Sequence, residues 1–180
     1  MAGRIAAIVL AAGEASRFGS PKQRLLLPHV LERLAASPVD EVVVVEGAHS
    51  LDLPSGSQSD GVPVRLVRCE EWARGPGASL RTGIGALGED VDAAVVVLAD
   101  GPDLAPASVE RVVEAWRTAG GLVAASYGGE RSHPLVVGRA AWGEIPDDGL
   151  RVLTARLVSC DDLGPPGDVD RPEDLEIDSR

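Results

Sequence analysis

Short aliphatic runs rich in β-branched residues recur along this chain, each separated from the next by a stretch with helical spacing. That alternation limits the fold more than any other feature. Ile5 to Leu10, Val42 to Val45, Pro63 to Val67, Ala93 to Ala99 and Leu122 to Ala125 each read as a strand. The runs are continuous rather than alternating apolar and polar, which suits strands covered on both faces, the habit of a parallel sheet. Between them Leu27, Val30, Leu31 and Leu34 recur at helical spacing, as do Leu80, Ile84 and Leu87, and Val109, Val112, Val113 and Trp116. Pro106 near the start of the last helix and Gly120–Gly121 past its end give the usual asymmetry of helix ends. The expected fold class is α/β, with right-handed βαβ units building three layers, α/β/α, around a mostly parallel sheet. The 180 residues suit one domain, no internal repeat is visible, and a single domain over 1–180 is expected. Leu53 to Gly61 reads as a polar surface loop. The tail after Gly164 reads as irregular and then as a short helix after Pro172.

Composition narrows the partners. Aromatic residues are only 3% of the chain, so the core must be built from Val, Leu, Ile and Ala. A net charge of -11 repels phosphate backbones and anionic lipid, which argues against nucleic-acid and membrane partners. Any phosphate bound here needs a local positive cluster or a metal. Cys69 and Cys160 form no CxxC pair, which excludes a structural zinc or iron–sulfur site and leaves one disulfide open. The opening MAGRIAAIVLAAG is too short for a spanning helix and lacks the cleavage context of a signal peptide, so a cytoplasmic location is expected.

Four segments could carry chemistry. Leu10 to Gln23, LAAGEASRFGSPKQ, leaves the first strand with Gly13, Gly19, Ser16 and Ser20 beside Arg17 and Lys22, the only lysine of the chain. In open α/β sheets ligands bind beyond the carboxyl ends of strands, and small residues let backbone N–H groups approach a phosphate. The spacing alone leaves two readings open, a phosphate seat and a solvated turn with incidental basic residues. Neither a P-loop nor a dinucleotide fingerprint is present there. The GxGxxG of Gly83, Gly85 and Gly88 follows a helical pattern rather than a strand, so it reads as a Gly-rich helix end. Asp100 closes the charge-free run AAVVVLA and is placed to hold a divalent cation, with Asp103 the better candidate for a helix cap. Asp168 and Asp170, in GDVDRPEDL, could add a second carboxylate or cap a last helix. His133, before Pro134, reads as a turn or core histidine.

These pieces, in this order, resemble the MobA-like nucleotidyltransferases, and within them the molybdenum cofactor cytidylyltransferases. LAAGEASRFGSPK is similar to the family's LAAG-x-[SA]-x-R-[MF]-G-x-x-K signature, and EWARGPGASLRTGI to its W-x-x-G-x-x-x-SL segment. VVLADGPDL, GGERSHPLVV, DDGLR and GDVDRPEDL resemble its remaining motifs. The resemblance implies a Rossmann-like nucleotidyltransferase fold. It implies that Leu10, Ala11, Ala12 and Gly13 line the nucleotide pocket, that Arg17 and Lys22 bind the triphosphate and act in catalysis, and that Ser79 lies near the nucleotide. It further implies Mg²⁺ on Asp100 and on Asp170, with Asp168 close behind. Ala11-Ala12 accompanies CTP use in the family, where a Gly in place of one Ala accompanies GTP. The implied reaction is transfer of CMP from CTP to a phosphate-bearing acceptor, molybdopterin, with release of pyrophosphate, and the implied protein partner is a molybdoenzyme or its maturation factor. The chain departs from the pattern in a short connection after Gln23, in Gly101 after Asp100, and in Leu150 where Ala is usual. Those departures keep three alternatives open: GTP as donor, a sugar or alcohol phosphate as acceptor, and a non-catalytic carrier that kept the pocket.

Overall fold

The computed structural model describes residues 3–13, 22–53 and 56–167. In chain order the elements are β1 (Arg4–Ala11), α1 (Lys22–Ala35), β2 (Glu41–Glu46), β3 (Gln58–Ser59), β4 (Val62–Arg68), α2 (Pro76–Gly85), β5 (Val91–Leu98), α3 (Pro106–Ala119), β6 (Leu122–Tyr127), β7 (Glu130–Gly138) and β8 (Arg156–Ser159). All eight strands of the described residues join one sheet in the order β3-β4-β2-β1-β5-β7-β6-β8. β4, β2, β1 and β5 are parallel neighbours. β7 runs antiparallel to both β5 and β6, while β8 returns to the parallel direction beside β6.

Continuous apolar strands need cover on both faces, and the helices supply it. On one face Ala7, Val9, Val44 and Val95 pack with Val30 and Leu34 of α1 and Val109 and Val112 of α3. On the other, Ile8, Val43, Val45 and Val96 pack with Leu80 of α2 and with Ile145 and Leu150 from irregular turns. A Cβ on Gly83 would stand 2.8 Å from Ile8 Cγ2 and 2.9 Å from Val45 Cγ2, so α2 lies as close to the sheet as a glycine allows. Gly83 is therefore needed for packing, whereas a Cβ on Gly85, the last residue of α2, would meet nothing within 4 Å among the described residues. Cys69 and Cys160 are free and belong to cores on opposite faces of the sheet, which closes the disulfide reading.

The five strands read from sequence are present, and three more join them. The Gly128–Gly129 pair, both at positive φ, turns β6 into β7, the geometry a tight hairpin demands. His133 and Pro134 therefore lie on a strand rather than in a turn. The β6–β7 register shifts between Ala124 and Ala125, opposite that stretch, an irregularity that accommodates a proline lacking a ladder N–H. The polar loop before Val62 holds the two-residue β3, folded back on β4 through Asp60 and Gly61, both at positive φ. The helix read after Pro172 lies outside the described residues. No described helix is long and apolar enough to cross a membrane.

Candidate functional site

β1 and β5 stop side by side. Leu10 pairs with Leu98, and the Ala99 amide donates to the Leu10 carbonyl at 3.1 Å. Beyond that point the two chains diverge and leave a cavity of about 350 Å³. Leu10, Ala12 and Gly13 from the end of β1, Trp72 and Ser79 from the segment before and within α2, and Asp100 from the end of β5 line it. Ala11 belongs to the core on the opposite face, as the two-residue period of a strand requires. Among the described residues, a Cβ on Gly13 would meet nothing within 4 Å.

The first turn of α2 borders this cavity and carries no acidic residue of its own, in a chain otherwise rich in carboxylates. Ser79, in that turn, is buried. The turn is held by the segment that follows Ile145. The Gly77 amide donates to the Asp147 carbonyl at 2.9 Å. A Cβ on Gly77 would fall 1.7 Å from the Pro146 oxygen. Arg81 donates to the Ile145 carbonyl at 2.8 Å and to the Asp147 carboxylate, which also receives Arg74 at 3.1 Å. Arg81 first, and then Arg74, hold the Asp147 carboxyl below the usual carboxylate range.

A second cavity of about 550 Å³ opens on the other side of Leu10, Pro76 and Leu98, which belong to both walls. Its remaining walls are mostly aliphatic, with Leu80, Leu135 and Leu150, and its polar groups include Arg131, His133 and Arg151. Arg131 donates to the Leu153 carbonyl at 2.7 Å and to the Leu150 carbonyl at 2.8 Å, fixing the turn that carries Leu150 and Arg151. Burial pushes the His133 imidazole down to about 4; Asp100 pulls it back up by less, and Arg131 adds to the push downward. The imidazole is therefore neutral near pH 7.

A third, smaller cavity of about 140 Å³ brings Asp100 and His133 together with Gly167, the last residue described. The Asp103 amide donates to the Pro166 carbonyl at 2.8 Å, tying that segment to the end of β5. Among the described residues no three His, Cys, Asp or Glu side chains gather as a metal cluster.

The structure thus brings Leu10, Ala12, Gly13, Ser79 and Asp100 to one cavity and places Ala11 in the core. Arg17, Asp168 and Asp170, and the side chain of Lys22, lie outside the described residues. Sequence reasoning missed Gln23, Arg131 and Asp147 as parts of the site. Gln23 adjoins the basic motif and Asp147 lies in DDGLR, so both had a local signal. Arg131 lies in GGERSHP and had a local signal too, although its contacts cross 19 and 22 residues.

Residues 7–158 match the family model described as MobA-like NTP transferase domain. Over 130 residues the chain is 38% identical to the 2-C-methyl-D-erythritol 4-phosphate cytidylyltransferase of Stenotrophomonas maltophilia, a match covering 66% of this chain and 55% of that protein. The chain thus spans about half the length of this curated relative. Among solved structures, Rv0371c of Mycobacterium tuberculosis superposes with a TM-score of 0.76 at 26% identity, over 96% of each chain. The manganese complex of Rv0371c shares the fold, with a TM-score of 0.73 at 23% identity over 96% of each chain.

Proposed function

The chain belongs to the MobA-like NTP transferase family, and on that premise we propose that it transfers CMP from CTP to a phosphate-bearing acceptor, molybdopterin, and releases pyrophosphate. One observation carries the reading: Gly13, Ser79 and Asp100, from three separate elements, line one cavity where β1 and β5 end. A phosphate oxygen of the acceptor attacks the α-phosphorus, the bond from that phosphorus to the bridging oxygen of the β-phosphate breaks, and the electron pair leaves with pyrophosphate. The nucleophile is already ionised near neutral pH, so no base is required and catalysis is positioning and charge neutralisation.

The roles follow from residue chemistry. Leu10, Ala12 and Gly13 bound the nucleotide with Ser79, and the backbone at Ala11 continues that edge. Arg17 and Lys22 carry the positive charge that steadies the triphosphate and then the departing pyrophosphate. Asp100 is a hard oxygen donor at a strand tip, and one or two carboxylates completed by phosphate oxygens and water suit Mg²⁺. Asp170, or Asp168, follows closely on Gly167, which shares a cavity with Asp100. When bound, the cation neutralises charge building on the α-phosphate. That Rv0371c forms a complex with manganese is in keeping with use of a divalent ion.

The second cavity, adjoining the first across Leu10, Pro76 and Leu98, suits the acceptor, with Arg151 at its wall to meet a phosphate. A second reading puts an alcohol phosphate in place of molybdopterin, in keeping with the alcohol phosphate named for the Stenotrophomonas relative. Pyrophosphate release across the four nucleoside triphosphates, with and without molybdopterin or an alcohol phosphate, tests the reading. CTP with one of these acceptors is expected to give turnover. Nucleotide binding without pyrophosphate release under every combination would make the protein a carrier.

A further inference from the structure

β6 pairs Ala124 with Leu135 and then Ala125 with Ser132, so the ladder passes over His133 and Pro134. The pairing of β5 with β7 also ends at Leu135. His133 thus stands outside both ladders, in a bulge that frees its side chain from regular alternation. It lines the second cavity, and it also lines the third, where Asp100 stands. Leu98, at the end of β5, is common to all three cavities. The half-buried imidazole is therefore at the junction where the second cavity meets the strand end that leads to Asp100.

The charged side chains round the second cavity already have partners in the protein. Arg131 donates to the carbonyls of Leu150 and Leu153, and Arg151 donates to Asp148 at 3.1 Å. His133 differs. Its carbonyl accepts from the Tyr127 hydroxyl at 3.4 Å, but neither ring nitrogen has a hydrogen-bond partner among the described residues. The one buried side-chain polar atom left without a partner among those residues is Gln23 Oε1, so the nitrogens of His133 are not sealed inside the protein. They open onto the space that the ring lines. A neutral imidazole carries one N–H donor and one acceptor, and here both are left for a ligand. An aliphatic cavity wall does not call for ring nitrogens, and no described protein group uses them.

We propose that His133 orients the acceptor, its ring N–H donating to a phosphate oxygen that does not attack, so that the phosphate is held at the Leu98 end of the second cavity, next to the nucleotide. This rests on the reading of the second cavity as the acceptor's and deepens it, by naming the residue that decides which end of the acceptor faces the nucleotide. The imidazole moves no proton in this role. A phosphate monoester is the class that suits the site, because it has three terminal oxygens: one attacks while another accepts from the imidazole.

The test measures pyrophosphate release from CTP with Mg²⁺, together with thermal stability, in the wild type, His133→Phe and His133→Gln. Molybdopterin is the acceptor in one arm, and 2-C-methyl-D-erythritol 4-phosphate, the alcohol phosphate named for the Stenotrophomonas relative, in the other. His133→Phe keeps a ring without a donor, and its melting temperature is expected to stay level. Its kcat/KM for the acceptor is expected to fall about tenfold or more, the scale of one hydrogen bond to a charged group, while the CTP KM changes less than about threefold. His133→Gln keeps an N–H donor and is expected to lose about threefold or less. His133→Leu supplies the same comparison if the phenylalanine variant does not fold. An unchanged acceptor kcat/KM in His133→Phe, an equal loss for acceptor and CTP, or a glutamine no better than phenylalanine would overturn the proposal. Each would leave the transferase reading standing, since the wild type would still release pyrophosphate. A wild type that releases none from CTP with either acceptor would sink the parent reading, and this one with it.

Discussion

The two halves of the sheet treat the same edge differently. In the parallel half, β2, β1 and β5 all arrive at that edge with their carboxyl ends, and what they present there is backbone and small side chains: Ala12, Gly13, Gly47 and the Asp100 tip. In the other half β7 is reversed, so its beginning rather than its end reaches the edge. Leu135 pairs with Val96, which carries Arg131, Ser132 and His133 out past the end of β5. One reversed strand thereby sets long, polar side chains against a rim otherwise made of backbone. The parallel half offers small residues at its cavity, as the proposed phosphate chain would need; the reversed half bounds a neighbouring pocket through Arg131 and the turn it holds.

The division can be broken most forcefully in the parallel half. Lys22→Ala and Asp100→Asn are each expected to lower pyrophosphate release by about 10²-fold or more, the scale of losing one charge-stabilising group. Circular dichroism is expected to leave the fold unchanged in both. Activity within a fewfold of wild type in either variant would show that the charged groups of this rim do not act on the nucleotide.

Two glycines sharpen the contrast. Gly77→Ala drives a Cβ into the Pro146 carbonyl and forces α2 off the turn behind it, an overpacking expected to cost about 3 kcal/mol by denaturant unfolding. Gly13→Ala meets open space and is expected to leave stability near wild type while weakening nucleotide binding. Equal loss of stability in the two would make Gly13 a packing residue.

Asp147 joins the halves, since Arg74 and Arg81 come from the nucleotide side and the turn it begins walls the second cavity. Asp147→Asn is expected to raise the acceptor KM about tenfold, well below what misplacing a reacting group can cost, with the CTP KM moving less. A rise confined to the CTP KM would assign the turn to the nucleotide.

The smallest effect expected is one of pH. His133 is held to about 4 by burial, below its unfolded value near 6.5, with Asp100 and Arg131 as the charges that act on it. The unfolded chain therefore binds the proton first, and stability falls as pH drops from about 6.5 toward 4. His133→Gln is expected to flatten that slope in urea titrations at fixed pH values; an unchanged slope would place the acid sensitivity elsewhere.

The same contrast governs how much could be read in advance. The parallel half was legible because strands buried on both faces must be continuous in Val, Ile and Ala, as Ala93 to Ala99 is. β7 begins with Glu130, Arg131, Ser132 and His133 and contains Pro134, and its membership in the sheet depends on pairing with β6 through a Gly-Gly turn rather than on its own composition. That turn was a usable signal. The place of Asp100 and Gly13 at one cavity followed from the rule that ligands sit beyond strand ends, whereas Ser79 was legible only through the resemblance of its segment. Ala11 in the core follows from strand alternation, which sequence resemblance ignores. The tie between Asp147 and Arg81 spans 66 residues, a distance at which only the folded chain can report a contact.

A crystal of the full chain grown with a non-hydrolysable CTP analogue and Mg²⁺ tests the central claim most directly. The account expects the nucleoside between Gly13 and Ser79, with the triphosphate running along residues 13 to 22 and the cation on Asp100. A nucleotide seated instead among Leu135, Leu150 and Arg151, or a cation away from Asp100, would contradict it.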